Sequence, residues 1–267
     1  MKKSASQENK GLKTFFVFTG IVLFFILISL TVKAFFVIKE SKFDGRHHFT
    51  ITITKEAKIK KIIVFNPPQS KTTTVDLQGD GVEEQSLNQL LGFIPDATID
   101  TDKNFEMDSD TPGLMRKFGL KYASIKTDLT LLDIIKLVIA SHKTSNDQTQ
   151  IAIQNNNYEN KSSIKNLFID DEISSEDITV QVINATGTSG MGRRLENVLV
   201  NLGCNVISVT TSQKTVKNSQ IQYFGEKPYT LEKIGRLLKF DTVKIDKKQI
   251  ADIVVIIGED AKSSASF

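Results

Sequence analysis

The chain has a single cysteine, Cys204, in 267 residues, which excludes an intrachain disulfide framework and any metal cage built from cysteine alone. Only five prolines interrupt it, and with 40% apolar and 24% charged residues it is neither collagenous nor wholly disordered. It lacks a Gly-Lys-Ser/Thr phosphate-loop ending and a G-x-G-x-x-G run, so the usual nucleotide-binding signals are missing. Its phenylalanines concentrate in one apolar stretch, leaving too few clustered aromatics elsewhere for sugar or base stacking. An excess of one charge sign is also missing from most of the chain. The formal net charge is +3, yet four of the 34 lysines and arginines and one of the 31 acids lie in residues 1–13. The other 254 residues therefore hold 30 of each sign, and no nucleic-acid partner is expected.

What is present begins with one long apolar run. Phe15 to Val32 carries no charge, and as a helix its 18 residues span ~27 Å; continuing to Ile38 gives ~36 Å, enough to cross a hydrocarbon core of ~30 Å. Lys33 can reach the interface while its stem stays apolar. A cleavable signal peptide would have a shorter apolar core, ~7–15 residues, and a small-residue cleavage site. Here Ala34-Phe35-Phe36-Val37-Ile38 extends the run instead. Residues 14–38 are thus expected to span the lipid bilayer. Lys2, Lys3, Lys10 and Lys13 place the tail, 1–13, in the cytoplasm and the bulk outside. The expected localisation is the cell membrane, single-pass.

Three regions follow. Residues 43–141 read as a small α/β middle domain. Phe49 to Thr54 alternates as a half-buried strand does, and Lys60 to Phe65 is a second strand ended by Asn66-Pro67-Pro68. Lys71 to Leu77 returns. A helix is expected from about Leu129 to Ser141, with Leu132, Ile135 and Ile139 as its apolar stripe and Asp128 or Thr130 as its cap. Residues 142–163 are rich in Asn, Gln, Ser and Thr, and with the acidic 170–177 they make 142–177 a polar linker. Residues 178–261 are the best patterned, before a tail at 262–267. Ile178 to Asn184 is a strand, followed by a helix with Met191, Leu195, Val198, Leu199 and Leu202 on one face and Gly203 as its stop. Pro228 opens a second helix with Leu231, Ile234, Leu237 and Leu238 inward. The order β-α-β-β-α-β-β implies an α/β (α+β) fold with helices packed on a mixed sheet.

Several motifs of this last region occur in a known order. Val182-Ile183-Asn184-Ala185-Thr186-Gly187-Thr188-Ser189-Gly190, then Arg193-Arg194-Leu195, Ile221-Gln222-Tyr223-Phe224 and Ala251 through Asp260 together resemble the LytR C-terminal domain family over residues 178–261. That resemblance implies a bacterial envelope protein with an N-terminal anchor. In that family the domain often follows a LytR-CpsA-Psr catalytic domain, which transfers lipid-linked glycopolymers to peptidoglycan. The middle region is similar to a reduced form of it: Phe65-Asn66-Pro67 followed by Asp76-Leu77-Gln78-Gly79-Asp80 repeats the spacing of its strand, turn and S-I-P-R-D motif. Only Asp80 matches that motif. Gly79 replaces the arginine, no Asp-Thr pair precedes Ile62, and Arg46 and Arg116 are the region's only arginines. Transfer of a pyrophosphate-linked group needs arginines or metal-held carboxylates to stabilise charge, so the departures imply lost chemistry.

The candidate binding residues are Asn184, Thr186, Gly187, Ser189, Gly190, Arg193 and Arg194, where a glycine turn joins strand to helix and N–H groups can face an anion. Two arginines in a first turn oppose the helix dipole, a conflict that a bound phosphate or carboxylate would relieve. The plainer alternative is a glycine turn with a serine cap and two solvated arginines. His47 and His48 beside Asp44 are read as juxtamembrane surface residues, because strand neighbours point to opposite faces and cannot share an ion. Cys204 is read as a small buried apolar residue. Asp76, Asp80, Glu83 and Glu84 form the densest carboxylate group and are read as turn acids. No metal, cofactor or catalytic residue is expected. The leading expectation is a non-enzymatic module that binds cell-wall glycan or envelope proteins. The alternative is a divergent glycopolymer transferase using Asp76, Asp80 and a divalent metal.

Overall fold

The computed structural model describes residues 5–78, 81–83, 91–107, 109–154, 157–158 and 165–264. The apolar run lies within one helix, α1 (Ala5–Glu40), of which Thr14–Glu40 is long and apolar enough to cross a membrane. A helix that is apolar all round belongs either in a protein core or in lipid. Among the described residues, nothing covers the apolar stretch of α1.

The chain then enters a mixed sheet. Strands β1 (Phe49–Lys55) and β2 (Lys58–Asn66) form a hairpin whose turn residues, Glu56 and Ala57, both take the positive φ that matches strand twist. Strand β3 (Lys71–Gln78) returns antiparallel to β2, and β4 (Val82–Glu83) pairs with the start of β2. Strand β5 (Ala97–Thr101) lies parallel to β1. Helix α2 (Thr111–Leu120), β6 (Lys126–Thr127) and helix α3 (Leu131–Lys143) follow, then β7 (Ser145–Gln154) and β8 (Asn157–Tyr158). The strand order is β6-β5-β1-β2-β3-β7-β8, with β4 beside β2. Phe49, Ile51, Ile53, Ile63 and Phe65 pack on one face against Leu114, Phe118, Ile134 and Leu137 of the two helices. The alternate residues Ile62, Val64, Val75 and Leu77 pack on the other against Leu91, Phe93 and Phe168.

Two expectations for this region are corrected. The helix at 131–143 forms, capped by Thr130 with Asp133 completing a capping box. Its core face, however, is Ile134, Leu137 and Ser141, while Ile135 and Ile139 point outward and Leu132 is only partly covered. A helix with apolar residues on most of its circumference offers periodicity more than one face. The second correction concerns the polar linker at 142–177. Residues 145–154 are instead β7, paired in parallel with the whole of β3 from Lys71–Ser145 to Gln78–Ala152. Side chains 145–149 are exposed, so the strand is held by its main-chain ladder, which needs no apolar alternation. Residues 155–156 and 159–164 of that stretch lie outside the described residues. Farther on, Phe168 stacks on Phe93 with ring centres 4.2 Å apart, and α4 (Asp171–Glu176) buries Ile173 in the C-terminal core.

The C-terminal domain has the expected order. Strand β9 (Thr179–Asn184), helix α5 (Met191–Leu202), β10 (Asn205–Thr211), β11 (Gln220–Tyr223), helix α6 (Tyr229–Leu238), β12 (Asp241–Lys244) and β13 (Ile253–Ile257) precede a short helix, α7 (Ala261–Ser264). The sheet runs β10-β9-β13-β11-β12 and is mixed: β9 is parallel to both neighbours, while β11 is antiparallel to β13. Val180, Val182, Ile221, Tyr223, Ile253, Val255 and Ile257 share one core with Met191, Leu195, Val198, Leu199 and Leu202 of α5 and Leu231 and Ile234 of α6. Gly203 ends α5 at φ 104°, and a Cβ there would fall 2.5 Å from Ser174 Oγ.

Candidate functional site

The turn before α5 divides the seven candidate residues into two groups. Asn184 and Thr186 are buried at 3% and 0% exposure, so they are not open ligands. Asn184 Nδ2 donates to Thr188 O at 2.8 Å, and its Oδ1 accepts from Thr186 Oγ1 at 2.7 Å. Thr188 N donates to Thr186 Oγ1 at 2.9 Å. These two side chains spend their polar atoms bracing the turn. Gly187, Thr188, Ser189 and Gly190 are exposed on it, and Arg193 and Arg194 are exposed in the first helical turn. The serine cap is absent: Gly190 is the cap residue at φ 87°, with no side-chain hydrogen bond. Among the described residues, neither arginine has an ion-pair partner. The chemistry this arrangement offers is a shallow cationic surface beside first-turn N–H groups.

The other singled-out residues that the structure describes lie in different settings. Cys204 is buried, and burial, with Asp170 and Glu176 nearby, pushes its thiol up to about 12, so it is unreactive at neutral pH. Asp76 is ion-paired to Lys61, its cross-strand partner. Glu83 is exposed in β4, while Gly79, Asp80 and Glu84 lie outside the described residues. Arg116 Nε donates to His142 Nε2 at 3.0 Å.

The histidine pair is corrected from a surface feature to a structural one. His47 contacts Asp44 through Nδ1 and Glu172 at 3.0 Å through Nε2, and stacks on Tyr229 at 4.3 Å. His48 is only 4% exposed. Its Nε2 lies 2.9 Å from Leu167 O, a pure acceptor, so that nitrogen carries the proton and Nδ1 is bare. Burial, then the nearby Lys233 charge, lowers the pKa of His48 below its ordinary 6.5. The unfolded chain therefore takes up a proton that the native site refuses, and this contribution is present above pH 6.5 and lost as pH falls below it. Stability should drop on acidification from about pH 7.5 to 5.5, by at most ~1.4 kcal/mol per pH unit from this one group. Unfolding measured at both pH values should show a smaller difference for His48→Gln.

His48 belongs to a seam between the two domains that sequence reasoning missed. Lys233 of α6 is 1% exposed, and its Nζ sits 2.8 and 3.0 Å from the Asp96 carboxylate oxygens and 2.8 Å from His48 O. Asn201 Nδ2 of α5 donates to Leu91 O and Gly92 O at 2.7 and 2.9 Å. Glu176 accepts from the N–H groups of Tyr229 and Thr230, both at 2.7 Å, and so caps α6 where Pro228 supplies no side-chain cap. Tyr229 OH donates to Asp170 at 2.9 Å. Buried charges and paired carbonyls of this kind tie the middle and C-terminal domains into one unit.

Comparison with known proteins bears on the C-terminal unit. A family model described as LytR cell envelope-related transcriptional attenuator matches residues 177–260, which runs from the residue pair before β9 to the turn after β13. No curated protein matches the chain. Among solved structures, the chain is similar to one described as TagT bound to LIIa-WTA, at 10% identity over 48% of this chain and 93% of that one, TM-score 0.31. It is also similar to Lin1025 of Listeria innocua, at 12% identity over 40% of this chain and 83% of that one, TM-score 0.26. A third is Lmo1026 of Listeria monocytogenes, at 12% identity over 72% and 95%, TM-score 0.19. The family match thus falls on the one domain whose strand and helix order was legible in advance, and residues 177–260, about a third of the chain, are similar to a family described as cell envelope-related.

Proposed function

We propose that this is a membrane-anchored envelope protein that binds an anionic wall polymer without transforming it. In this reading α1 crosses the cell membrane with the N-terminus in the cytoplasm, and the two joined domains work outside. The envelope-related family match and the uncovered apolar helix support the setting. The observation that carries the binding role is the exposed Arg193–Arg194 pair beside the exposed turn 187–190. Cations in a first turn are disfavoured by the helix dipole, and a phosphate or carboxylate ligand would offset that cost. Asp76 is engaged by Lys61, which leaves the transferase reading with less support from its own residues.

The test is sedimentation of the full chain in detergent with isolated wall material. The Arg193→Ala/Arg194→Ala variant should bind about tenfold more weakly or worse, the loss of one charged hydrogen bond of ~1.5 kcal/mol, and wild-type binding should weaken with salt. Both side chains are exposed, so unfolding should be unchanged. Equal binding by the two proteins would refute the role of this turn. Pyrophosphate release from a polyprenyl-linked substrate with Mg²⁺, abolished by Asp80→Ala, would replace the binding reading with the transferase.

A further inference from the structure

The C-terminal sheet has a second open end. Strand β11 runs antiparallel to β13, so its last residue, Tyr223, stands beside Ile253, which pairs in turn with Val180 near the start of β9. The chain leaving β11 therefore reaches the end of the sheet opposite the turn 187–190. From Ile178 to Asn184, at ~3.3 Å per residue, about 20 Å of strand separate the two ends. At this far end Phe224, Glu226, Lys227 and Pro228 curl around a cleft of about 320 Å³, closed on its other side by Ile178 and Asp252. Gly225, at φ 82°, permits the curl, and Phe224 N donates to Asp252 O at 3.2 Å. The volume lies at the small end of the ~300–1,000 Å³ that small-molecule sites occupy.

The charges of the cleft decide what it would take. Asp252 is paired with Lys248 at 2.6 Å and accepts from Thr179 N at 3.1 Å. The Lys248 ammonium, and then the Thr179 hydroxyl, hold its carboxyl at about 2, so it is a fixed, ionised acceptor. Glu226 and Lys227 are both exposed and, among the described residues, neither has an ion-pair partner. The two carboxylates are thus balanced by two ammonium groups. The N–H groups that open α6, an ordinary anion position, are already taken by Glu176. No surplus charge of either sign is left to draw a phosphate or an organic cation. What remains is the apolar surface of Phe224, 40% exposed, with Pro228 and Ile178, under a rim that offers both acceptors and a donor. The matching ligand has one apolar face and hydroxyl groups at its edge, which donate to carboxylates and accept from an ammonium.

We infer that this cleft is a sugar site, in which one uncharged pyranose ring lays its C–H face on Phe224 and Pro228 and shares hydroxyl hydrogen bonds with Glu226, Asp252 and Lys227. A single ring suffices here because the fold sets it in a cleft of ligand size, where the sequence offers no cluster of aromatics. The cleft and the arginine turn lie at opposite ends of β9, so this inference stands or falls apart from the anionic-polymer reading.

The test uses the full chain in nanodiscs of phosphatidylcholine, a lipid that carries no sugar. Methyl glycosides of glucose, galactose, mannose and N-acetylglucosamine are titrated in turn, and binding is read from nuclear magnetisation transferred from protein to ligand. At least one glycoside should bind through its ring C–H protons, with an affinity that added salt leaves unchanged, because the ligand is uncharged. Phe224→Ala should weaken it about tenfold or more, the scale of a lost aromatic anchor. Glu226→Gln should weaken it about threefold, the difference between a charged and a neutral acceptor. Both side chains are exposed, so thermal unfolding of the variants should match wild type. Glycerol phosphate and alanyl-alanine serve as charged competitors. Tighter binding of either than of every glycoside would make the cleft an anion or peptide site and overturn the inference. Silence from all four glycosides would overturn it too, as would equal sugar binding by wild type and Phe224→Ala. None of these results bears on Arg193 and Arg194, whose role is read separately by sedimentation with wall material.

Discussion

Lys233→Met is expected to destabilise the two-domain unit by about 3–5 kcal/mol, the usual cost of removing one partner of a buried ion pair. Methionine keeps most of the lysine stem but supplies no charge. The Asp96 carboxylate, 2% exposed, would then retain the Thr50 N–H at 2.9 Å and an Arg236 nitrogen no nearer than 4.0 Å. His48 O would also lose its donor. Urea unfolding of the full chain in detergent would measure the loss. The double variant Lys233→Met/Asp96→Asn should recover most of it, because asparagine still accepts from Thr50 while carrying no charge to strand. A single variant within about 1 kcal/mol of wild type would show that solvent reaches the pair and that its net worth is that of a surface ion pair.

Asp133→Ala should cost about 2–4 kcal/mol, a helix cap plus a buried N–H left without an acceptor. Asp133 accepts from Thr130 N at 2.8 Å, Thr130 Oγ1 at 2.7 Å, Phe43 N at 2.9 Å and Ser41 Oγ at 2.6 Å, all within the fold. Two of these donors belong to Thr130, the cap residue of α3, and two to the segment that leaves α1. Thr130→Val removes the cap hydroxyl alone and should cost about 1 kcal/mol. The excess of the first variant over the second is the contribution of the junction. Equal losses would mean that the link between α1 and the middle domain adds nothing to stability and leaves the domain free to swing on its anchor.

The elements themselves were legible wherever side-chain spacing alone builds them. Phe15 to Ile38 is too long and too apolar to be anything but one helix, Phe49 to Thr54 alternates as a strand does, and Lys60 to Phe65 and Lys71 to Leu77 read as two more strands. In the C-terminal domain each helix has one apolar stripe, so Leu195, Val198, Leu199 and Leu202 could be assigned inward without coordinates. The turn 187–190 was legible as a glycine turn before a helix, and the exposure of Arg193 and Arg194 agrees with it. The fate of Asn184 and Thr186 was not, because a short polar side chain near a turn either faces solvent or folds back onto the backbone.

The local sequence of this chain therefore determined its apolar span, most of its strands and the element order of its C-terminal domain. The tertiary structure decided what local periods leave open. It selected which of two apolar faces of α3 meets the core, since both satisfy the helical repeat. It turned the polar stretch 145–154 into a strand, because a ladder is made of main-chain groups that every residue carries. It brought Lys233 to Asp96 across 137 positions, a pairing that exists only once the two sheets have packed and water has left the space between them.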